Sequence, residues 1–169
     1  MTKVLVAFAT RFGSTREIAS AIAAELIAEG IEAVAAEATS SLNPDDYDAF
    51  VIGSPLYGRK WMSVAGMFAA ITSERINGKP VVLFSVGTLG VGSPEAGRTE
   101  HDEFVARLKE VAPKLNVISD EVFTGYFERS NLPWYLRIID RFAPTPQGDH
   151  RDWAAIHAWA NLVATKFKG

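Results

Sequence analysis

Thr10-Arg11-Phe12-Gly13-Ser14-Thr15 is the first stretch whose residue types and spacing suggest chemistry. Three hydroxyls and a glycine run straight into an amphipathic segment. Amides that open a helix have no acceptor inside it, and the helix dipole favours negative charge at that end. Such a start can hold an anion, above all a phosphate. Thr10, Ser14 and Thr15 add hydroxyl donors, and Gly13 lets the backbone approach closely. Ser14-Thr15-Arg16-Glu17 also fits the S/T-x-x-E capping box, so a capped helix after a polar turn is the plainer reading of the same residues. The sequence contains neither G-x-G-x-x-G nor G-x-x-x-x-G-K-[ST], which argues against a dinucleotide fingerprint or a nucleoside triphosphate loop.

Two further loops have the composition of a seat for a flat ring. Ser54-Pro55-Leu56-Tyr57-Gly58-Arg59 offers an aromatic face, and Gly58 permits peptide orientations that other residues resist. Gly87-Thr88-Leu89-Gly90-Val91-Gly92-Ser93-Pro94 is glycine-rich and carries no aromatic residue. Taken alone, Tyr57 reads as a loop tyrosine packing on its own domain. The three histidines, His101, His150 and His157, show no metal-ligand spacing and read as exposed helix positions. No Ser-His-Asp arrangement is legible, and no metal is expected.

The elements that hold these loops alternate along the chain. Lys3–Ala9, Glu32–Glu37, Ala49–Gly53, Pro80–Val86 and Val117–Phe123 read as strands. Helical patterns lie between them: Ile18, Ile22, Leu26 and Ile27 on one face up to Gly30; Ser63–Ile76 with Val64, Met67, Phe68 and Ile71; Thr99–Leu115 with Phe104, Leu108 and Val111 inward; and Asp149–Lys168. Apolar strands separated by helices predict a doubly wound α/β fold, with a five-stranded parallel sheet in the order 2-1-3-4-5. Ligands of such sheets sit beyond the carboxyl ends of the strands, where all three loops fall.

The 169 residues suit a single domain, 1–169. A net charge of −3 argues against a nucleic-acid surface, and the lack of cysteine removes disulfides, thiolate metal sites and cysteine nucleophiles. No apolar run reaches the roughly 18 residues of a membrane span, so a cytoplasmic protein is expected.

Thr10-Arg11-Phe12-Gly13-Ser14-Thr15 resembles the flavodoxin phosphate loop T-x-[ST]-G-x-T, with Phe12 replacing the usual small hydroxyl residue. In this it is similar to the flavodoxin subfamily that contains the menaquinone-dependent protoporphyrinogen oxidases. The likeness is strongest in Thr10–Ala19, Tyr47–Gly58 and Gly148–Trp153. It implies a flavodoxin-like fold and FMN as the cofactor. Residues Thr10, Arg11, Phe12, Gly13, Ser14 and Thr15 would surround the phosphate. Ser54, Pro55, Leu56, Tyr57 and Gly58, with Ser85, Val86, Gly87, Thr88, Leu89 and Gly90, would contact the ring. The flavin itself would carry the chemistry, in a setting of heme biosynthesis.

Leu132–Phe142 reads as a short helix with Leu132, Tyr135, Leu136, Ile139 and Phe142 on one face. One reading is an extra helix packed on the sheet or on the edge of the flavin site. The other is a hydrophobic lip in weak contact with a membrane surface, which would make the protein peripheral at the inner membrane face. Arg129, Arg137 and Arg141 could pair with substrate carboxylates, and Arg59 and Lys60 could raise the flavin potential. Gly148-Asp149-His150-Arg151-Asp152-Trp153 reads as the start of the last helix, capped by Asp149 or Asp152. Two functions follow: an FMN-dependent oxidoreductase with a small-molecule or quinone electron partner, or a flavodoxin-type carrier that docks to a redox protein. A receiver-type signalling domain would need acids where Thr10 and Ser54 stand.

Overall fold

A computed structural model describes residues 2–39, 41–88, 93–142 and 147–169. The main sheet contains β1 (Lys3–Phe8), β2 (Glu32–Glu37), β3 (Ala49–Tyr57), β5 (Pro80–Gly87) and β6 (Asn116–Thr124). They pair in parallel in the order β2-β1-β3-β5-β6. Counting these five alone, this is the expected 2-1-3-4-5. A short β4 (Lys60–Trp61) folds back antiparallel on the end of β3.

Side chains of each strand alternate between the two faces of the sheet. Val4, Val6, Phe8, Val82 and Phe84 meet α1 (Ser14–Ala28) and α5 (Trp153–Lys168). Leu5, Ala7, Phe50, Ile52 and Leu83 meet α2 (Ser63–Arg75) and α3 (Pro94–Val111). Both faces are covered, so the strands read as continuous apolar runs.

The structure changes several expected faces. In α2, Ala65, Phe68, Ala69 and Thr72 turn inward, while Val64, Met67 and Ile71 are exposed. The two small alanines let that side of the helix lie close to the sheet. Ile27 and Val111 are also exposed. Helix α3 starts at Pro94, a residue suited to a first turn, five positions before the expected Thr99. Between β6 and α5 lie β7 (Tyr126–Phe127), α4 (Trp134–Phe142) and β8 (Gly148–Asp149); β7 and β8 pair antiparallel. Asp152 caps α5, its side chain accepting from the Ala155 amide at 2.9 Å. Asp149 belongs to the β7–β8 pair instead.

Candidate functional site

The first loop builds its cradle without the expected capping box. Gly13, at φ 92°, is the N-cap of α1, and no side chain caps the helix. Thr10 Oγ1 accepts from the Gly13 amide at 2.9 Å and so closes the turn. Ser14 Oγ accepts from the Tyr126 amide at 3.2 Å, which ties the loop to β7. Glu17 does not reach back to the loop. Its carboxylate takes the Arg151 guanidinium at 2.5 Å. Arg151 also holds Asp149 at 2.6 Å and lies over the rings of Tyr126 and Trp153. The first-turn acid is thereby neutralised, and the start of α1 keeps its preference for an anion. The Gly148–Trp153 element thus does more than start a helix: it clamps the cradle.

Next to the cradle opens a cleft of about 390 Å³ at the carboxyl ends of β1, β3 and β5. Thr10, Arg11, Phe12, Ser14 and Thr15 line one end, and Pro55, Leu56, Tyr57, Val86, Gly87 and Thr88 form its slot. Gly125, Tyr126, Phe127, Leu132 and Asp140 close the side next to the insertion. A Cβ on Gly125 would stand 2.9 Å from Val86 Cγ1 and 3.6 Å from Ser14 Oγ, so only glycine keeps this junction open. Burial raises the pKa of the Tyr57 hydroxyl, with the Arg11 charge pulling the other way.

A model of the flavodoxin domain matches residues 5–152. The chain belongs to the flavodoxin domain family. Protoporphyrinogen IX dehydrogenase [quinone] of Escherichia coli strain K12 is 30% identical over 96% of this chain and 94% of its own. A flavodoxin from the domain Archaea superposes with a TM-score of 0.63 at 15% identity, covering 99% of both chains. The Streptococcus pneumoniae TIGR4 flavodoxin gives 0.63 at 18% identity over 97% of this chain and 99% of that one. For a flavodoxin-family chain, the cradle and slot point to a flavin as the bound group.

Within this flavodoxin-family site the expected residues divide into a lining and a support. Thr10, Arg11, Phe12, Ser14, Thr15, Pro55, Leu56, Tyr57, Val86, Gly87 and Thr88 converge on the cleft. Ser54 and Ser85 are register partners that lie buried under it, facing the α2–α3 side. Gly13 and Gly58 shape turns, with φ 92° and 56°. Leu89 and Gly90 lie outside the described residues. Gly125, Tyr126 and Phe127 were not expected in the lining, whereas Leu132 and Asp140 belong to a segment that one reading set at the edge of the site; the unusual length of the connection between the last strand and last helix was the available signal.

Three other expectations change. His101 is fully buried, not exposed; His157 is half-buried against Glu25 at 2.6 Å. Ser85, His101 and Asp120 do lie in contact, one after the next, at 2.7 and 3.1 Å. This is no nucleophilic triad, because both Ser85 and His101 are sealed from the cleft. His101, Asp102 and Asp120 place three ligand-type atoms within 4.8 Å of one another; Arg98 bonds both acids and supplies the balancing cation. Among the arginines, Arg129 pairs with Asp140 at 3.3 Å and Arg137 donates to the Leu132 and Ser130 carbonyls. Arg59 turns to Glu103 at 3.3 Å, so its charge is spent on α3. Among the described residues, Arg11 is the cation that lines the cleft.

Proposed function

We propose that this protein is an FMN-dependent oxidoreductase that oxidises a porphyrinogen-type substrate and delivers the electrons to a quinone. One observation carries the reading: an anion cradle and an apolar, aromatic-sided slot share one cleft, which continues to Leu132 and Asp140 of the insertion. The α1 amides with Thr10, Ser14 and Thr15 suit a phosphate, and Leu56, Tyr57, Val86 and Tyr126 suit a planar ring. FMN, when bound, supplies reversible redox chemistry at its ring. The protein's own residues orient it: Gly125 keeps the cradle open to the slot, Arg151 offsets Glu17, and Arg11 offers a charge to an anionic substrate. The identity to the quinone-dependent enzyme supports this reaction class.

The same reading gives α4 an anionic lipid surface as its partner, since long-chain quinones reside in bilayers. Trp134, Ile138 and Phe142, at spacings of four, are 74, 53 and 84% exposed, and Tyr135 lies beside them. Tyr135 and Phe142 therefore do not form a packed face, which was one of the two readings of the sequence. Arg137 and Arg141 flank the exposed strip, and Asp140 turns inward. No helix among the described residues is long and apolar enough to cross a membrane, so contact would be peripheral.

The test is direct. Purified protein titrated with FMN should bind it with quenched flavin fluorescence. Anaerobic porphyrinogen oxidation should then depend on an added menaquinone analogue. Protein that remains colourless with FMN overturns the flavin reading; FMN uptake without porphyrinogen oxidation makes the protein a carrier.

A further inference from the structure

The β3–β4 hairpin presents Tyr57 to the cleft but has little to hold it. Only two register pairs join its strands, Leu56 with Trp61 and Tyr57 with Lys60. Its turn puts both Gly58 and Arg59 at positive φ, 56° and 64°, and the second is strained for a non-glycine residue. Short two-stranded ribbons are marginal by themselves. The anchors come from below and from one helix.

A line of buried polar groups runs under the slot. Trp61 Nε1–H donates to Ser85 Oγ at 2.7 Å, and Ser85 Oγ lies 2.7 Å from His101 Nδ1. His101 Nε2 lies 3.1 Å from Asp120 Oδ1, which also accepts from Arg98 at 2.5 Å. A carboxylate that already holds a guanidinium only accepts, so the neutral imidazole carries its proton on Nε2. Nδ1 is then bare, and the Ser85 hydroxyl donates to it while accepting from the indole. Every donor and acceptor is matched, in a single direction. Trp61 also stacks on Phe104, with centroids 4.6 Å apart. Arg107 donates to the Arg59 carbonyl. Arg98, His101, Phe104 and Arg107 recur every three residues along α3, so one ridge of that helix grips β6, β5, Trp61 and the hairpin turn in succession.

We infer that His101, acting through Ser85 and Trp61, is a positioning residue that fixes the Tyr57 hairpin against β5 and so sets the slot for the planar part of the ligand. The inference rests on the flavin reading for the ligand's identity, not for the hairpin's order. Removing the acceptor leaves the buried Ser85 O–H with nothing to donate to; as the hydroxyl turns toward another partner, its lone pairs leave the Trp61 indole N–H, and the hairpin drifts from β5.

The experiment compares FMN with riboflavin, which lacks the phosphate. His101→Phe keeps a planar aromatic ring and deletes both bonds. At 10 °C, where the variant is shown to be folded by circular dichroism, both flavins should bind about tenfold more weakly, the scale of one unmatched buried hydrogen bond. His101→Gln can accept from Ser85 and donate to Asp120, and should restore binding to within about twofold. In the flavin-free protein, His101→Phe should speed amide hydrogen exchange over residues 57–62 and leave residues 14–18 unchanged. If His101→Phe does not fold, Ser85→Ala carries the same two measurements. Unchanged riboflavin affinity in a folded variant, or a loss confined to FMN, overturns the inference. Wild-type protein that binds neither flavin overturns the flavin reading alone, and the exchange measurement still decides the hairpin's anchoring.

Discussion

Helices α3 and α4 both break the rule that apolar side chains turn inward, and they break it in opposite directions. Helix α3 sends His101 into full burial and half-buries its Arg98 guanidinium against β6. Helix α4 buries Asp140 and turns Trp134, Ile138 and Phe142 to solvent. The first inversion is settled inside the molecule, because each buried polar atom of the α3 chain has a partner. The inward acid of α4 is also met, by Arg129. Its outward apolar strip has no such answer among the described residues. An exposed contiguous apolar patch marks an interaction surface. One helix thus completes the site from within, and the other looks for something outside.

The largest effect should come from cutting that outward strip. Burying a Trp or Phe side chain is worth about 1.5–3 kcal/mol. Replacing Trp134 and Phe142 with serine together should therefore weaken binding to vesicles containing anionic lipid by at least about 100-fold. Co-sedimentation measures this. Stability should move by less than about 0.5 kcal/mol, as for other surface changes. Wild-type protein that ignores such vesicles would remove the contrast between the two helices.

The α3 inversion should behave in the reverse way, with a cost in stability. His101→Phe should lose about 1–3 kcal/mol in denaturant unfolding, the range for stranding a buried donor. The sign of the pH effect is also set. Burial, the largest cause, pulls the imidazole below its ordinary value near 6.5, against Asp120 and Asp102, which raise it, while Arg98 lowers it further. The unfolded state then binds the proton more readily, so stability is complete above pH 6.5 and falls as the pH drops below that value. His101→Gln should flatten this part of the curve. Equal slopes in the two proteins would show that His101 does not report on the network.

These two helices also show what the sequence could and could not reveal. The strand order and the cradle were legible, because apolar runs and a hydroxyl-rich loop before a helix are local signals: Thr10, Ser14 and Thr15 stand where the spacing put them. The capping role of Ser14 was misread because Glu17 has a stronger partner, Arg151, 134 residues away in the chain. His101 looked like a surface residue because its partners, Ser85 and Asp120, come from two strands, β5 and β6. The direction of the α4 apolar face stayed open between packing and exposure, because amphipathic spacing identifies an apolar side without saying which way it faces, and Trp134 and Ile138 were not among the residues assigned to it. Tyr126 and Gly125 escaped for a similar reason: a two-residue strand carries no periodicity.

The smallest predicted effect sharpens the lipid side of the comparison. If α4 meets an anionic surface, its arginines should contribute as point charges, about 1 kcal/mol each near the headgroups. Arg137 is held by the Leu132 and Ser130 carbonyls, at 2.8 and 2.6 Å, so its substitution would also disturb the helix start. Arg141 is exposed and forms no ion pair among the described residues, which makes it the cleaner probe. Arg141→Gln should weaken vesicle binding about fivefold at low salt. The difference should shrink as ionic strength rises, because exposed charges are screened over about 8 Å at 0.15 M. The loss caused by the Trp134 and Phe142 substitutions should persist at the same salt, since apolar burial does not depend on it. A salt-independent Arg141 effect would mean that the residue packs rather than pairs, and that the surface α4 seeks is apolar without being anionic.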